Sequence, residues 1–344
     1  MSKNKLNFST FFEGLTVGIL NTFILFELNK KSILLASLWS ATFILGTVIS
    51  LYIKIENQKR AKLITLLVRI LILPILLLDL TALSIAGIFL LGLIQAIFSR
   101  KIFIQLKEYI SKIDVNHLTA HGSINAVGYG LGSVLSGFVN EAKMFFILIS
   151  LITISLTYIL KPCRESLHSK ENLGISRRDL YIASVFTFST TPLNNTLGLL
   201  IYANIFNEEI ASLGALVFNI GSILSYKLKV FISKTGKPIA FSLLISSLIY
   251  ISTLYVVSLP YFFISRLVIG SILFAAQGLL EERSKKGAEN NDKGLEHLWQ
   301  IFSLFSFLSL LVLPFFGERF GYLILGLISL TSSFILIIIK KLIK

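Results

Sequence analysis

Glu13, Arg69 and Arg266 fall inside long apolar runs of the chain, where an ionisable side chain is costly and turns toward protein or a water-filled cavity. Each has a distinct chemical use. Glu13 sits about one turn into the first apolar run, where protonation can neutralise it during a working cycle, so it is the proton-coupling candidate. The competing reading is a helix-end carboxylate satisfied by water or by a basic neighbour. Arg69 can bind an anion, pair with a carboxylate, or extend its long stem to lipid headgroups. Arg266 starts roughly two turns below the surface at about 1.5 Å per residue. It suits either an anion contact or an internal hydrogen-bonded strut. Asp79 lies at the outer end of a run and is expected to be solvated.

Enzymatic chemistry finds no matching pattern. His117, His121, His168 and His297 are scattered, and the lone Cys163 rules out an internal disulfide or a cysteine metal cluster. No Walker A sequence is present, so ATP-driven pumping has no engine in this chain. In 281–296, EERSKKGAENNDKGLE, Glu289 and Asp292 are crowded by Lys285, Lys286 and Lys293, and the spacing matches no calcium loop. The chain is therefore expected to be no enzyme, with neither metal nor cofactor.

The elements that position these residues follow from composition. Hydrophobic residues make up 54% of the 344 positions and charged residues 15%. A soluble domain of this length has no interior large enough for that apolar surface, so lipid must cover it. Twelve apolar segments lie near 9–27, 32–53, 62–79, 82–99, 119–139, 142–160, 180–203, 208–226, 238–257, 260–280, 297–315 and 320–340. At about 20 residues per crossing they consume roughly 240 positions and leave no separate soluble domain. The first segment is expected to act as an uncleaved insertion signal.

The net charge of +14 does not mark a nucleic-acid partner. Lys and Arg collect at the two ends and in alternate loops. Only Lys30, Lys31, Lys143 and Arg319 fall in the opposite loops. That asymmetry predicts both termini on the cytoplasmic side of a cell membrane. The polar stretch 161–179, KPCRESLHSKENLGISRRD, is expected to link an N-terminal bundle over 1–160 to a C-terminal bundle over 180–344. Between the fourth and fifth segments, Arg100–Ile113 carries apolar residues at helical spacing. It reads as a helix extended beyond the membrane or lying along its surface.

Glycines recur in Ile124–Val139, INAVGYGLGSVLSGFV. Gly128 and Gly132 stack on one helix face and admit a neighbouring backbone, and Asn125 adjoins that face as a candidate bundle tie. The pattern Gly128-x-x-x-Gly132-Ser133-x-x-Ser136-Gly137 resembles the fifth-helix signature of major facilitator superfamily drug and metabolite exporters, Gly-x-x-x-Gly-Pro-x-x-Gly-Gly. Serines stand where that family has its proline and penultimate glycine. Two basic loops sit in equivalent places after the second segment of each half, a weak internal repeat. They resemble eroded forms of the superfamily's cytoplasmic turn, with Glu56, Lys59, Arg60 and Lys62 in the first and Gly236 and Lys237 in the second. Arg266-Leu-Val-Ile-Gly270 is similar to an Arg-x-x-x-Gly fragment of many members.

The resemblance implies a polytopic all-α membrane protein with twelve helices in two six-helix bundles. It implies that the first, fourth, seventh and tenth helices line a central cavity, which makes Asn21, Gln95, Asn194, Asn195, Arg266 and Gln277 substrate-cavity candidates. Interhelical packing is the alternative role of the asparagines. Pro192 removes a backbone hydrogen bond and can bend the seventh helix. The expected function is proton-coupled export of a small organic molecule by a monomer embedded in the lipid bilayer. The alternatives are uptake on the same fold, or a non-transporting partner or sensor built on a transporter scaffold.

Overall fold

The computed structural model describes residues 3–50, 53, 58–75, 81–113, 115–138, 143–160, 197–233, 237–253, 255, 256, 258–286 and 318–342. Within them the chain forms α1 (Lys3–Asn29), α2 (Ile33–Ser50), α3 (Gln58–Ile75), α4 (Ala82–Ile113), α5 (Val115–Gly137), α6 (Lys143–Leu160), α7 (Leu197–Ile205), α8 (Glu208–Ser233), α9 (Pro238–Thr253), α10 (Leu259–Lys286) and α11 (Glu318–Leu342). Every described element is helical, as a lipid-embedded backbone that must satisfy its own polar groups requires. These elements fall on eleven of the twelve expected segments. The segment at 297–315, the first part of 180–203 and the linker at 161–179 lie outside the described residues.

The helices α1, α4, α8, α10 and α11 overrun their expected segments. Hydropathy marks only the stretch that lipid covers, whereas helix propagation continues until a breaker or a cap. The run 100–113 contains neither glycine nor proline, so α4 continues unbroken through its 32 residues. At 1.5 Å per residue that is about 48 Å, well beyond a hydrocarbon core of about 30 Å. Of the two readings of Arg100–Ile113, the extended helix is the one that forms. Similarly, α10 carries its charged tail Glu281–Lys286 in the same helix.

Local chemistry fixes the turns. Thr81 and Ser84 cap α4 reciprocally: Thr81 N–H donates to Ser84 Oγ at 2.9 Å, and Ser84 N–H donates to Thr81 Oγ1 at 3.3 Å. Asn207 Oδ1 accepts Ile210 N–H at 2.8 Å, and Glu208 and Glu209 occupy the first turn of α8, where the helix dipole favours negative charge. Between α1 and α2, Ser32 N–H and Lys31 N–H both return to Leu28 O, and Glu27 pairs with Lys30 at 2.8 Å.

The chain divides into two compact units, Met1–Lys170 and Glu171–Lys344. In the first, α1 packs most extensively on α5, and α4 packs on α2 and α3. Leu20, Leu73 and Ile154 form a core shared by α1, α3 and α6. Trp39 is buried against Phe89, and its ring occupies the space that Gly92 leaves open. In the second, α8 packs most extensively on α10, and α9 on α11. Ile232, Ala275 and Leu279 are buried together there. Large apolar side chains such as Leu71, Leu83, Ile223, Phe231 and Ile264 point outward, the surface that lipid solvates. Among the described residues five helices are long and apolar enough to cross a membrane.

Candidate functional site

The first unit buries an ion pair made from three helices. Arg69 of α3 approaches Glu13 of α1 with its planar fork: Nη2 donates to Oε1 at 2.5 Å and Nη1 donates to Oε2 at 3.2 Å. Ser99 of α4 closes the triangle, donating to Glu13 Oε1 at 2.8 Å and accepting from Arg69 Nη2 at 3.2 Å. Arg69 is 2% exposed and Glu13 9%. Of the alternatives left open for these residues, the guanidinium pairs with a carboxylate inside the protein and does not extend to headgroups. Desolvating both charges is costly, and the fork geometry with the serine hydroxyl offsets that cost. Removing either partner would leave the other charge buried, destabilising by about 3–5 kcal/mol.

Glu13 is held in place by the joint between α1 and α5. A Cβ added at Gly128 would lie 3.0 Å from Leu15 N and still closer to Phe11 O. At Gly132 it would lie 2.7 Å from Ile19 N and closer to Leu15 O. From the other side, Gly14 and Gly18 of α1 meet the Asn125 and Tyr129 backbone just as closely. Four glycines, two on each helix, thus bring backbone against backbone around the turn that bears Glu13. Side chains stitch the seam. Asn125 Nδ2 donates to Thr10 O at 3.3 Å, Ser136 Oγ to Ile19 O at 2.8 Å, and Ser133 Oγ lies 2.9 Å from Thr22 Oγ1. Gly137 is buried at the end of the same helix. Serine at 133 and 136 therefore does what a proline or glycine could not: it bonds across the helices.

Among the described residues, the remaining candidates stand outside this ion pair. Asn21 is half-buried on α1, with its Oδ1 buried and unpartnered. Gln95 is 1% exposed on α4, and neither its Oε1 nor its Nε2 has a partner. Lys59 and Arg60 are exposed at the start of α3. Lys237 donates to Ile337 O of α11 at 3.4 Å, a cation beside a helix C-terminal end. Asn194, Asn195, Glu56 and Gly236 lie outside the described residues.

Arg266 is buried in the second unit, with its guanidinium carbon 4.7 Å from the centroid of the Phe218 ring on α8. Its helix meets α8 through another close joint. A Cβ at Gly221 would lie 2.6 Å from Ser271 N, and one at Gly270 would strike Phe218 O. The expected Arg266-to-Gly270 fragment thus combines a cation over an aromatic face with the glycine that lets that face come near. Gln277 is half-buried on the same helix. Sequence reasoning missed Ser99 and Phe218. A serine one turn after Gln95 carries no signal among so many membrane serines, and one phenylalanine among 28 carries none either.

No family model matches the sequence, and no curated protein matches it significantly. Solved structures do resemble it. A POT family transporter in complex with 5-aminolevulinic acid is 12% identical, with a TM-score of 0.71, covering 97% of this chain and 95% of its own. A POT family transporter in complex with a thioalcohol-conjugated peptide is 11% identical, with a TM-score of 0.72 and coverages of 99% and 96%. A D-xylose-proton symporter is 13% identical, with a TM-score of 0.71 and coverages of 97% and 96%. At such identities the likeness is one of fold, and the fold these transporters share with this chain is of the major facilitator type.

Proposed function

We propose that the protein is a proton-coupled secondary transporter that exports a small organic molecule, and that Glu13 carries the proton. The observation that carries this reading is a carboxylate locked to a guanidinium and a hydroxyl, deep in a unit of a transporter fold. Protonation converts the Glu13 carboxylate to a neutral acid and removes the charge that Arg69 holds. The ion pair that ties α1 to α3 is then lost, so proton occupancy and helix arrangement are coupled. Inward movement of the proton can drive outward movement of the solute as the bundles over 1–160 and 180–344, joined by 161–179, alternate access. The Gly128–Gly132 joint, resembling an exporter signature, is the reason for choosing export. The excess of Lys and Arg in alternate loops supports an orientation with both termini on the cytoplasmic side of a cell membrane, with a monomer as the working unit. Asn21, Gln95, Asn194, Asn195, Arg266 and Gln277 remain the candidates for substrate contact.

Uptake is the second reading, favoured by the symporter among the structures of like fold. Metabolites retained in cells lacking the protein supply test solutes for proteoliposomes with an imposed pH gradient. Solute flux opposite to the proton supports export, and flux alongside it supports uptake. Absence of any gradient-driven flux leaves the non-transporting scaffold. In the same vesicles Glu13→Gln is expected to abolish the dependence of flux on the gradient. An unchanged dependence assigns the proton to another group.

A further inference from the structure

Gln95 and Ser99 are four residues apart on α4, so they share one face of the helix about 6 Å apart along its axis. Ser99 is tied to both Glu13 and Arg69. Gln95 is as deeply buried, yet both ends of its amide lack a partner, and Arg69 Nε is a buried donor without an acceptor. An amide unsatisfied at both ends is destabilising where it stands. It becomes useful if a second arrangement supplies its partner. Arg69 can do so, because a guanidinium has five N–H donors on a long stem and already touches this face of α4.

We propose that Gln95 is the second seat of the Arg69 guanidinium, occupied when Glu13 is neutral. This deepens the proton-coupled reading and rests on it. In the arrangement seen here, ionised Glu13 holds the fork. When the carboxylate takes a proton from water, Arg69 keeps its charge but loses its counter-charge. The guanidinium then donates to Gln95 Oε1, one turn back along α4, while Ser99 stays with the neutral acid. Other charges favour that direction. Lys62 lies seven residues before Arg69 on the same face of α3 and is buried. Because α3 and α4 are antiparallel neighbours joined by a short connection, Gln95 is the seat farther from Lys62. Like-charge repulsion therefore biases a released Arg69 toward it. Other ionisable side chains on the packed helices among the described residues include Tyr129 of α5, hydrogen-bonded to Thr22, Glu27 near the end of α1, paired with Lys30, and Lys59 and Arg60, exposed at the start of α3.

Thermal-unfolding midpoints of the purified full-length protein test the proposal through four forms: parent, Glu13→Gln, Gln95→Leu and the double variant. Glu13→Gln imitates the protonated acid. Gln95→Leu is expected to raise the parent midpoint, because it removes an unsatisfied amide. In the Glu13→Gln background it is expected to lower the midpoint by about 3 °C, because Arg69 then loses its seat. Equal effects in the two backgrounds overturn the proposal. Should Glu13→Gln fail to fold, parent and Gln95→Leu are compared from pH 8 to pH 5. Their difference is expected to turn against Gln95→Leu as the pH falls, and parallel curves overturn the proposal. Loss of gradient-driven flux in the parent defeats the transport reading without touching this comparison. Intact transport with equal effects in both backgrounds defeats the second seat alone.

Discussion

The first unit joins α1 to α5 and the second joins α8 to α10, and in both joints glycines on each helix bring backbone against backbone. The buried cation near each joint is treated differently. Arg69 is neutralised by a two-pronged carboxylate contact reinforced by a serine. Arg266 lies over the ring of Phe218, whose own backbone is what Gly270 admits. Close packing is therefore a shared mechanical device, while the chemistry beside it is particular to each unit. A carboxylate partner makes the first site sensitive to proton occupancy. The aromatic face of Phe218 itself carries no titratable proton.

The comparison breaks most severely at the glycines. Gly132→Leu and Gly270→Leu each force a side chain into backbone that has no room to retreat. Each is expected to cost about 3 kcal/mol or more and to abolish flux, with membrane insertion intact. Detergent unfolding and vesicle assays of both variants measure this. A tolerated leucine at either position would remove the packing argument for that unit.

Arginine-to-lysine exchange sharpens the contrast between the sites. Arg69→Lys keeps the charge but loses one prong to Glu13, and is expected to cost about 2 kcal/mol. Arg266→Lys keeps the charge but loses the planar stack on Phe218, and is expected to cost about 1 kcal/mol. Chemical denaturation of the two variants ranks them, and the reverse order would contradict the pairing described here. The smallest effects belong to serines that bond between helices. Ser136 donates to Ile19 O and Ser333 to Ala240 O, both at 2.8 Å. Ser136→Ala and Ser333→Ala are expected to cost about 1 kcal/mol each, a shared contribution measured by the same unfolding curves.

The positions of the helices were legible in the chain because lipid imposes a single rule on every crossing: apolar side chains outside and hydrogen bonds inside the segment. The ends were less legible. Hydropathy falls where the membrane stops, but α4 runs on to Ile113 because nothing in 100–113 breaks it. The Gly128–Gly132 seam could be read from spacing alone, since two glycines four apart leave a groove whatever fills it. That α1 fills it, with Gly14 and Gly18 answering, could not be read that way.

By itself the sequence determined a lipid-embedded helical chain, the groove on α5, and two arginines and one glutamate too deep in apolar surroundings to be idle. Each of these is a local property of residue type and period. Only the tertiary structure decided that Glu13 meets Arg69 across 56 positions, that Ser99 completes the contact, and that Gln95 stands beside them unsatisfied. The physical reason is that a hydrogen bond between helices depends on their relative rotation and height. Those are set by the packing of every neighbour at once, and no spacing within one helix records them.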